Sequence, residues 1–442
     1  MKILHCLNHF LPHHIAGTEV YTLSLINALL PHNIEAAVVI PNYGKSVSEE
    51  YKVHGIRVFQ YAEPSKVDKA LLMGRRAPDG LSAFEEIMVK ENPDVIHFHE
   101  LAGSNGITLH HVRTAKALGF KIVMTFHVAK YSCKTGTLMY KNSELCDGVI
   151  DKKRCTECWF EDRNTNYLQS KVLTVASSFF DVLRWDTTKW NNSIGTALGF
   201  PFIIQECKEN LHELIRNCDA SVVLTKWYKT VLERNDINSS KINLITQALP
   251  ENTALKTNHL IDKKSKIKLV FIGRINHFKG VLLLIKALQD VNPEKVTLDI
   301  YGQQNDDAYT MECKKVSASM ENIHWMGILP PGNVVSTLVN YDVMCLPSTV
   351  CEMSPLVIQE AFAAGIPVLA SNGYGNAEQI TNDKNGWLFE FKNQEDLKIK
   401  VECLVNNPEK IKAAKENILP VKTFQAVAEE YKILYDKILA PG

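Results

Sequence analysis

The chain has 442 residues, 45% of them hydrophobic, which is enough for two to three domains, each with its own core. Lys plus Arg and Asp plus Glu number 49 each, so no global field favours nucleic acid or an anionic surface, and nucleic acid is not an expected partner. No apolar run reaches membrane-span length, and eleven cysteines without a secretory leader pattern point to a reducing, cytoplasmic setting rather than a disulfide framework.

Lys2–Cys6 reads as a short apolar strand. A loop with His9, His13 and His14 follows, then Ala16-Gly17-Thr18-Glu19 and a helix to Leu30. Strand, glycine turn and helix open a doubly wound α/β domain. Residues 36–40 and 56–59 are further strands, 64–80 is polar loop, and 83–91 is a helix. The strand 95–98 carries His99 and Glu100 at its end, a helix runs from about 107 to 118, and the strand 122–126 ends in His127. Ligands of such domains gather at the C-terminal ends of the strands.

From 131 to about 217 the alternation of strand and helix is lost. This stretch is rich in aromatics and reads as an insertion, helical in part around 167–183. It is either a helical cap with its own small core, the reading favoured by the irregular spacing of the aromatics, or a face that docks on an acceptor or a membrane surface. At its start stand Cys133, Cys146, Cys155 and Cys158, the last two as C-x-x-C beside Lys152, Lys153 and Arg154. Four thiols have the count for a structural zinc, although the wide spacing of the first pair is no finger pattern. Free thiols in a reducing compartment and a redox pair are the alternatives.

Order resumes with a strand at 220–224, a helix at 227–234 and a strand at 242–245. The polar run 250–266 is the predicted boundary between an N-terminal domain, 1–250, and a second domain, 251–422. In the second half the strand 267–272 is followed by Gly273-Arg274, and Lys279-Gly280 precedes the helix 281–288. Strands at 298–301, 323–325 and 343–346 and a helix at 333–340 complete the alternation before residue 348, which predicts a parallel sheet. Arg274 and Lys279, just past a strand end, suit a diphosphate, or are merely solvated bases. No G-x-G-x-x-G supports a dinucleotide site.

The stretch 348–371, STVCEMSPLVIQEAFAAGIPVLAS, reads as loop, apolar helix and buried strand. Ser354 is the predicted N-cap, Pro355 the first helical residue, and Gly365 the stop. The N–H groups around Ser354, Leu356 and Val357 make a seat for phosphate. Glu352 hangs over that seat. Glu360 falls on a face that looks buried, where a carboxylate needs a partner. A core helix with a solvated Glu at each end is the plainer reading.

Glu352, seven residues, Glu360 and then AFAAGIPVLAS resemble the E-x7-E signature of the retaining glycosyltransferases of family four, with the GT-B fold. GRINHFKG (273–280), the glycine turn at Gly17, DVIHFHE (94–100), TFH (125–127), Gly373–Glu378 and Asn385–Phe389 resemble further motifs of that family. Ala16, Val128 and Tyr374 depart from its pattern. The resemblance implies two Rossmann-like doubly wound parallel-sheet domains facing across a cleft, with the helix 423–442 crossing back to the first. It implies transfer of a sugar from a nucleotide-diphosphate sugar to a hydroxyl of a glycan or lipid-linked saccharide. Arg274 and Lys279 would meet the diphosphate, Glu360 the ribose, Glu352 and His127 the sugar, and Gly17 would let the backbone approach the phosphates. A similar cysteine set occurs in a subset of these transferases. No cofactor is implied for the chemistry beyond the structural zinc. The competing readings are a non-catalytic sugar-nucleotide-binding subunit, an epimerase or phosphorylase of the same fold, and a cysteine-based metal or redox module; oligomeric state is not readable.

Overall fold

The computed structural model describes residues 1–163, 166–190, 192–249, 266–330 and 332–440. The chain divides into two compact units, Met1–Thr246 with Phe424–Gly442, and Gln247–Thr423. The predicted boundary run lies outside the described residues except for its last residue, Lys266.

The first unit is built on β1 (Lys2–Cys6), β2 (Glu35–Tyr43), β3 (Glu49–Val53), β4 (Ile56–Glu63), β5 (Val95–Phe98), β6 (Lys121–Phe126), a small hairpin of β7 (Met139–Tyr140) and β8 (Glu144–Leu145), then β9 (Ala220–Val223) and β10 (Ile242–Leu244). Its main sheet has the order β10-β9-β6-β5-β1-β2-β4-β3. All neighbours are parallel except the edge strand β3, which hairpins back on β4. The chain first winds outward from β1 to β2 and β4, then returns to place β5 on the other side of β1. That reversal opens a crevice beyond the ends of β1 and β5.

The second unit holds β11 (Ile267–Ile272), β12 (Val296–Tyr301), β13 (Ile323–Gly327), β14 (Val343–Leu346), β15 (Val368–Ser371) and β16 (Gly386–Phe389), in the order β13-β12-β11-β14-β15-β16 and wholly parallel. Both faces are buried, as the continuous apolar runs require. Leu269 and Phe271 enter one core layer, while Val270 between them enters the other. Here the winding reverses between β11 and β14.

The closing helix Phe424–Leu439 packs in the first unit against the helix Gly17–Leu29. Tyr431 and Tyr435 are fully buried in that contact. The Tyr21 hydroxyl donates to that of Tyr431 at 3.2 Å, Thr125 meets Tyr431 at 2.8 Å, and His97 Nδ1 meets the Tyr435 hydroxyl at 2.7 Å.

Four details differ from the sequence reading. The polar run 64–80 contains a short helix, Lys69–Leu72, capped by Asp68. The helix Ala308–Ser317, capped by Asp307, and the helices Gln394–Asn406 and Pro408–Glu416 were not read from the sequence. The insertion holds the expected helix, as Tyr167–Val182, but also three that were not expected, Lys152–Asp162, Ser193–Leu198 and Phe200–Asn217, all after the β7–β8 hairpin. Finally, the helix of the 348–371 stretch is Leu356–Ala363, one residue shorter at its start. Pro355, with ψ 119°, occupies the N-cap position that Ser354 was expected to hold. Proline fixes φ but leaves ψ free, and here it remains extended.

Candidate active site

In the second unit the loops after β11 and β14 meet at the switch point. After β11 the chain passes Gly273 and Arg274 and forms a turn, His277–Lys279, whose Asn276 side chain accepts from the Lys279 N–H at 3.1 Å. Gly280 follows with φ +71°, and a Cβ there would lie 1.9 Å from the Pro347 carbonyl oxygen. Only glycine allows so close a backbone crossing. The contact is stitched by Thr349, whose N–H and hydroxyl donate to the carbonyls of Phe278 (2.8 Å) and His277 (2.6 Å). These contacts tie the two loops to each other.

This crossing brings Lys279 to Glu352. Lys279 Nζ lies 2.5 Å from Glu352 Oε1, and the Ser348 hydroxyl donates to the same oxygen at 2.8 Å. Both charged side chains are mostly covered. Gly375 closes the other side: a Cβ there would sit 2.1 Å from the Glu352 carbonyl oxygen and 2.5 Å from that of Met353. Gly375 thus holds the 373–378 loop against the backbone that carries Glu352. Arg274 is exposed and has no hydrogen bond or ion pair among the described residues. Ser354, Pro355, Leu356 and Val357 line the start of the helix, all half-buried.

Glu360 departs from expectation. Its carboxylate has no hydrogen-bond or ion-pair partner among the described residues, although burial pushes it up from 4.5 to about 7. A partner was required on the assumption of an ionised group. Burial instead favours the neutral acid, and the side chain is left only half-buried rather than enclosed.

In the first unit, four histidines converge at the ends of β1, β5 and β6. His5 Nδ1 lies 2.9 Å from His99 Nε2, and His99 Nδ1 lies 3.1 Å from His127 Nε2. His97 is held separately between Thr125 (2.8 Å) and Tyr435. Burial lowers His5 and His127 to about 3 and pushes His97 and His99 well below their usual value, helped by the neighbouring imidazoles. All four are therefore neutral, and each ring in the row can donate from only one nitrogen. The Tyr21 ring stands edge-on to His127 at 4.8 Å. The sequence reading found His99 and His127 but not the row. Its signal is the His-x-His of β5, whose two rings share one face, beside His5 on the strand paired to it. Gly17 begins its helix with open space where a Cβ would point, and Glu19 turns back to accept from the Ala16 N–H at 3.1 Å. A cavity of about 300 Å³ opens nearby, lined by Gly103, His110, Arg113, Lys130 and Tyr131.

Cys133, Cys146, Cys155 and Cys158 line one small cavity of about 30 Å³, room for a single ion or water. Burial raises the Cys158 thiol, an effect that the Lys141 N–H opposes only in part by donating to its sulfur at 3.2 Å. Burial raises Cys155 to about 12, so without a cation this thiol stays protonated. Among the described residues, only His5, His97 and His99 bring three ligand atoms within 4.8 Å of one another. The residue types at the cysteine cavity fit zinc, but the sulfurs must draw closer to hold it.

Residues 252–419 match the family described as "Glycosyl transferases group 1", and residues 15–144 match "Glycosyltransferase Family 4". An "Uncharacterized glycosyltransferase" of Haemophilus influenzae is 29% identical over 199 residues, which cover 44% of this chain and 54% of that protein. The chain spans about half the length of the curated relatives it matches. Sucrose-phosphate synthase from Thermosynechococcus elongatus has the same fold, with a TM-score of 0.68 at 14% identity, over 99% of both chains. Anabaena HepE in complex with UDP gives a TM-score of 0.61 at 14% identity, over 100% of this chain and 98% of the other. Two parallel-sheet units of this topology, each matched in part by a glycosyltransferase family model, give the chain the GT-B fold.

Proposed function

We propose that the chain is a retaining glycosyltransferase that takes a sugar from a nucleoside-diphosphate donor and passes it to a hydroxyl of a glycan or lipid-linked saccharide, in the building of a surface polysaccharide or glycoconjugate. The observation that carries this reading is the Lys279–Glu352 pair, held at the switch point by two close glycine crossings. The HepE structure of the same fold is a complex with UDP, which supports a donor of this class.

On this reading, Arg274 and Lys279 stabilise the charge that grows on the departing diphosphate, and the N–H groups that open the helix Leu356–Ala363 add to it. Lys279 is shared with Glu352 before the donor arrives. Phosphate draws the ammonium away and leaves Glu352 to accept from sugar hydroxyls. Glu360 meets the ribose. His127 is assigned to the transferred sugar, and Gly17 to the backbone that approaches the phosphates. Retention follows either from a covalent step at Glu352 or from same-face attack with the departing phosphate as base. The cavity beside Gly103 and Lys130 is the proposed acceptor groove of the first unit. At the cysteine cavity Cys133, Cys146, Cys155 and Cys158 would hold a zinc that pins the insertion and takes no part in the chemistry. Metal analysis of protein purified without added metal tests that assignment, which one equivalent of zinc, lost in a Cys155→Ser, Cys158→Ser variant, would support.

The activity is tested by following nucleotide release from a panel of UDP-, GDP- and ADP-sugars. Slow release from one donor, lost in Glu352→Gln and in Lys279→Ala, is the expected result. Release that persists unchanged in both variants would remove the site from the proposal.

A further inference from the structure

The helix Tyr167–Val182 in the insertion is turned inside out. Its inward side carries Ser170, Thr174 and Ser177, each no more than 5% exposed. Its outward side carries Leu168 (76% exposed), Val172 (64%), Val175 (71%), Phe179 (61%) and Val182 (81%). The spacing of four, three, four and three residues makes these five a single stripe. An ordinary surface helix has the opposite arrangement.

The buried hydroxyls do not ask for water. Thr174 donates to the Ser170 carbonyl at 2.8 Å, Ser177 to the Thr174 carbonyl at 3.0 Å, and Ser170 to Glu161 at 3.4 Å. Small residues with internal partners let the helix lie close against the helix Lys152–Asp162. The large apolar side chains are consequently left to the outside, where they cost free energy unless something covers them.

The stripe continues past the helix end into Trp185 and Trp190, whose rings pack edge to face at 6.1 Å. Arg184 directly precedes the first tryptophan and Lys189 the second, both exposed and without a hydrogen bond or ion pair among the described residues. The neighbouring acids are already engaged: Asp181 accepts from Lys152 at 3.1 Å, and Asp186 caps the turn Thr187–Lys189 and faces Arg75 at 3.8 Å. An apolar stripe with tryptophans and uncompensated cations at one end is the composition of a helix that lies in a lipid interface. A second copy paired along the stripe would bring two more cations and no free acid.

We propose that this helix docks the protein on an anionic lipid bilayer, with the five-residue stripe among the acyl chains and Arg184 and Lys189 at the headgroups. The proposal is independent of the transferase reading, because vesicle binding needs no donor.

The test is co-sedimentation of the full chain with phosphatidylcholine vesicles, with and without phosphatidylglycerol, alongside the tryptophan emission. Binding to the anionic vesicles with a blue shift is expected. A Val175→Ser, Phe179→Ser variant should lower the partition coefficient at least about tenfold. An Arg184→Gln, Lys189→Gln variant should lower it about tenfold on anionic vesicles only. Because the stripe is exposed, circular dichroism and Tm should stay at wild-type values; if the first variant fails this control, Leu168→Ser, Val182→Ser takes its place. Failure to bind either vesicle, or equal binding by the apolar variant, overturns the proposal. So does dimerisation in sedimentation velocity that the apolar variant abolishes, without vesicle binding, since the occupant would then be a second copy.

Discussion

Glu360→Gln is expected to stabilise the protein without ligand, and to do so only above a defined pH. Burial raises this carboxyl from 4.5 to about 7, and no partner among the described residues offsets the cost of ionising it. Each tenfold in proton affinity is worth about 1.4 kcal/mol, so the tighter hold of the folded state on its proton amounts to about 3 kcal/mol, an upper figure for a half-buried group. Below pH 4.5 folded and unfolded states both carry the proton, and the group is neutral with respect to folding. Between pH 4.5 and 7 only the folded state keeps it, so stability falls as pH rises through that window and levels off above 7. Glutamine removes this dependence. Urea unfolding of both proteins at pH 4 and pH 8 should show no difference at the lower pH and a gain of up to about 3 kcal/mol for the variant at the higher one. An equal gain at both pH values, or none at pH 8, would show that the carboxylate is not held in the state inferred. A nucleotide whose ribose uses Glu360 as an acceptor should release a proton on binding near pH 6, measurable by calorimetry in buffers of different ionisation enthalpy.

Lys279→Ala should slow donor turnover about 10²-fold while leaving the fold intact, which single-turnover nucleotide release would reveal. Gly375→Ala forces a Cβ to within 2.1 Å of the Glu352 carbonyl, so a loss of about 1–3 kcal/mol and weakened donor binding are expected together, read by thermal melts and titration. Wild-type affinity in that variant would mean that the 373–378 loop does not position Glu352. In the histidine row, His99→Gln should change the tautomer populated by His127, because the bond that selects it is altered. Nitrogen-15 chemical shifts of the His127 ring report this directly, and unaltered shifts would show the rings to be independent.

Much of the fold was legible because buried parallel strands are continuous apolar runs. β5, β11 and β14 begin and end where the sequence pattern does, and Gly365 ends its helix with φ +74°. Short elements such as Lys69–Leu72 and Glu49–Val53 were missed, since four or five residues are too few to show a helical or alternating period and the capping Asp68 reads equally well as loop. At the candidate site, residue types and spacing lead to Lys279 and Glu352, but the ion pair between them depends on the backbone crossing at Gly280 and Pro347, which is a property of two loops far apart in sequence. Glu360 illustrates the limit of the burial rule: an acid can avoid the need for a partner by staying protonated. The insertion was read as a cap because its aromatics are irregularly spaced. The regular stripe consists mostly of aliphatic residues, and its exposure became evident only when Ser170, Thr174 and Ser177 were found facing inward.

The helix Phe424–Leu439 carries a consequence for biosynthesis. Tyr431 and Tyr435 supply hydrogen-bond partners for Tyr21, Thr125 and His97 and cover part of the first unit, yet they are synthesised only after the whole of the second unit. The N-terminal unit therefore cannot be completed as it is made, whereas the second unit is whole before synthesis ends. A chain truncated after Thr423 should hold a protease-resistant second unit beside a first unit still open at Tyr21 and His97, so loss of the helix Phe424–Leu439 would loosen residues four hundred positions away rather than the unit that directly precedes it.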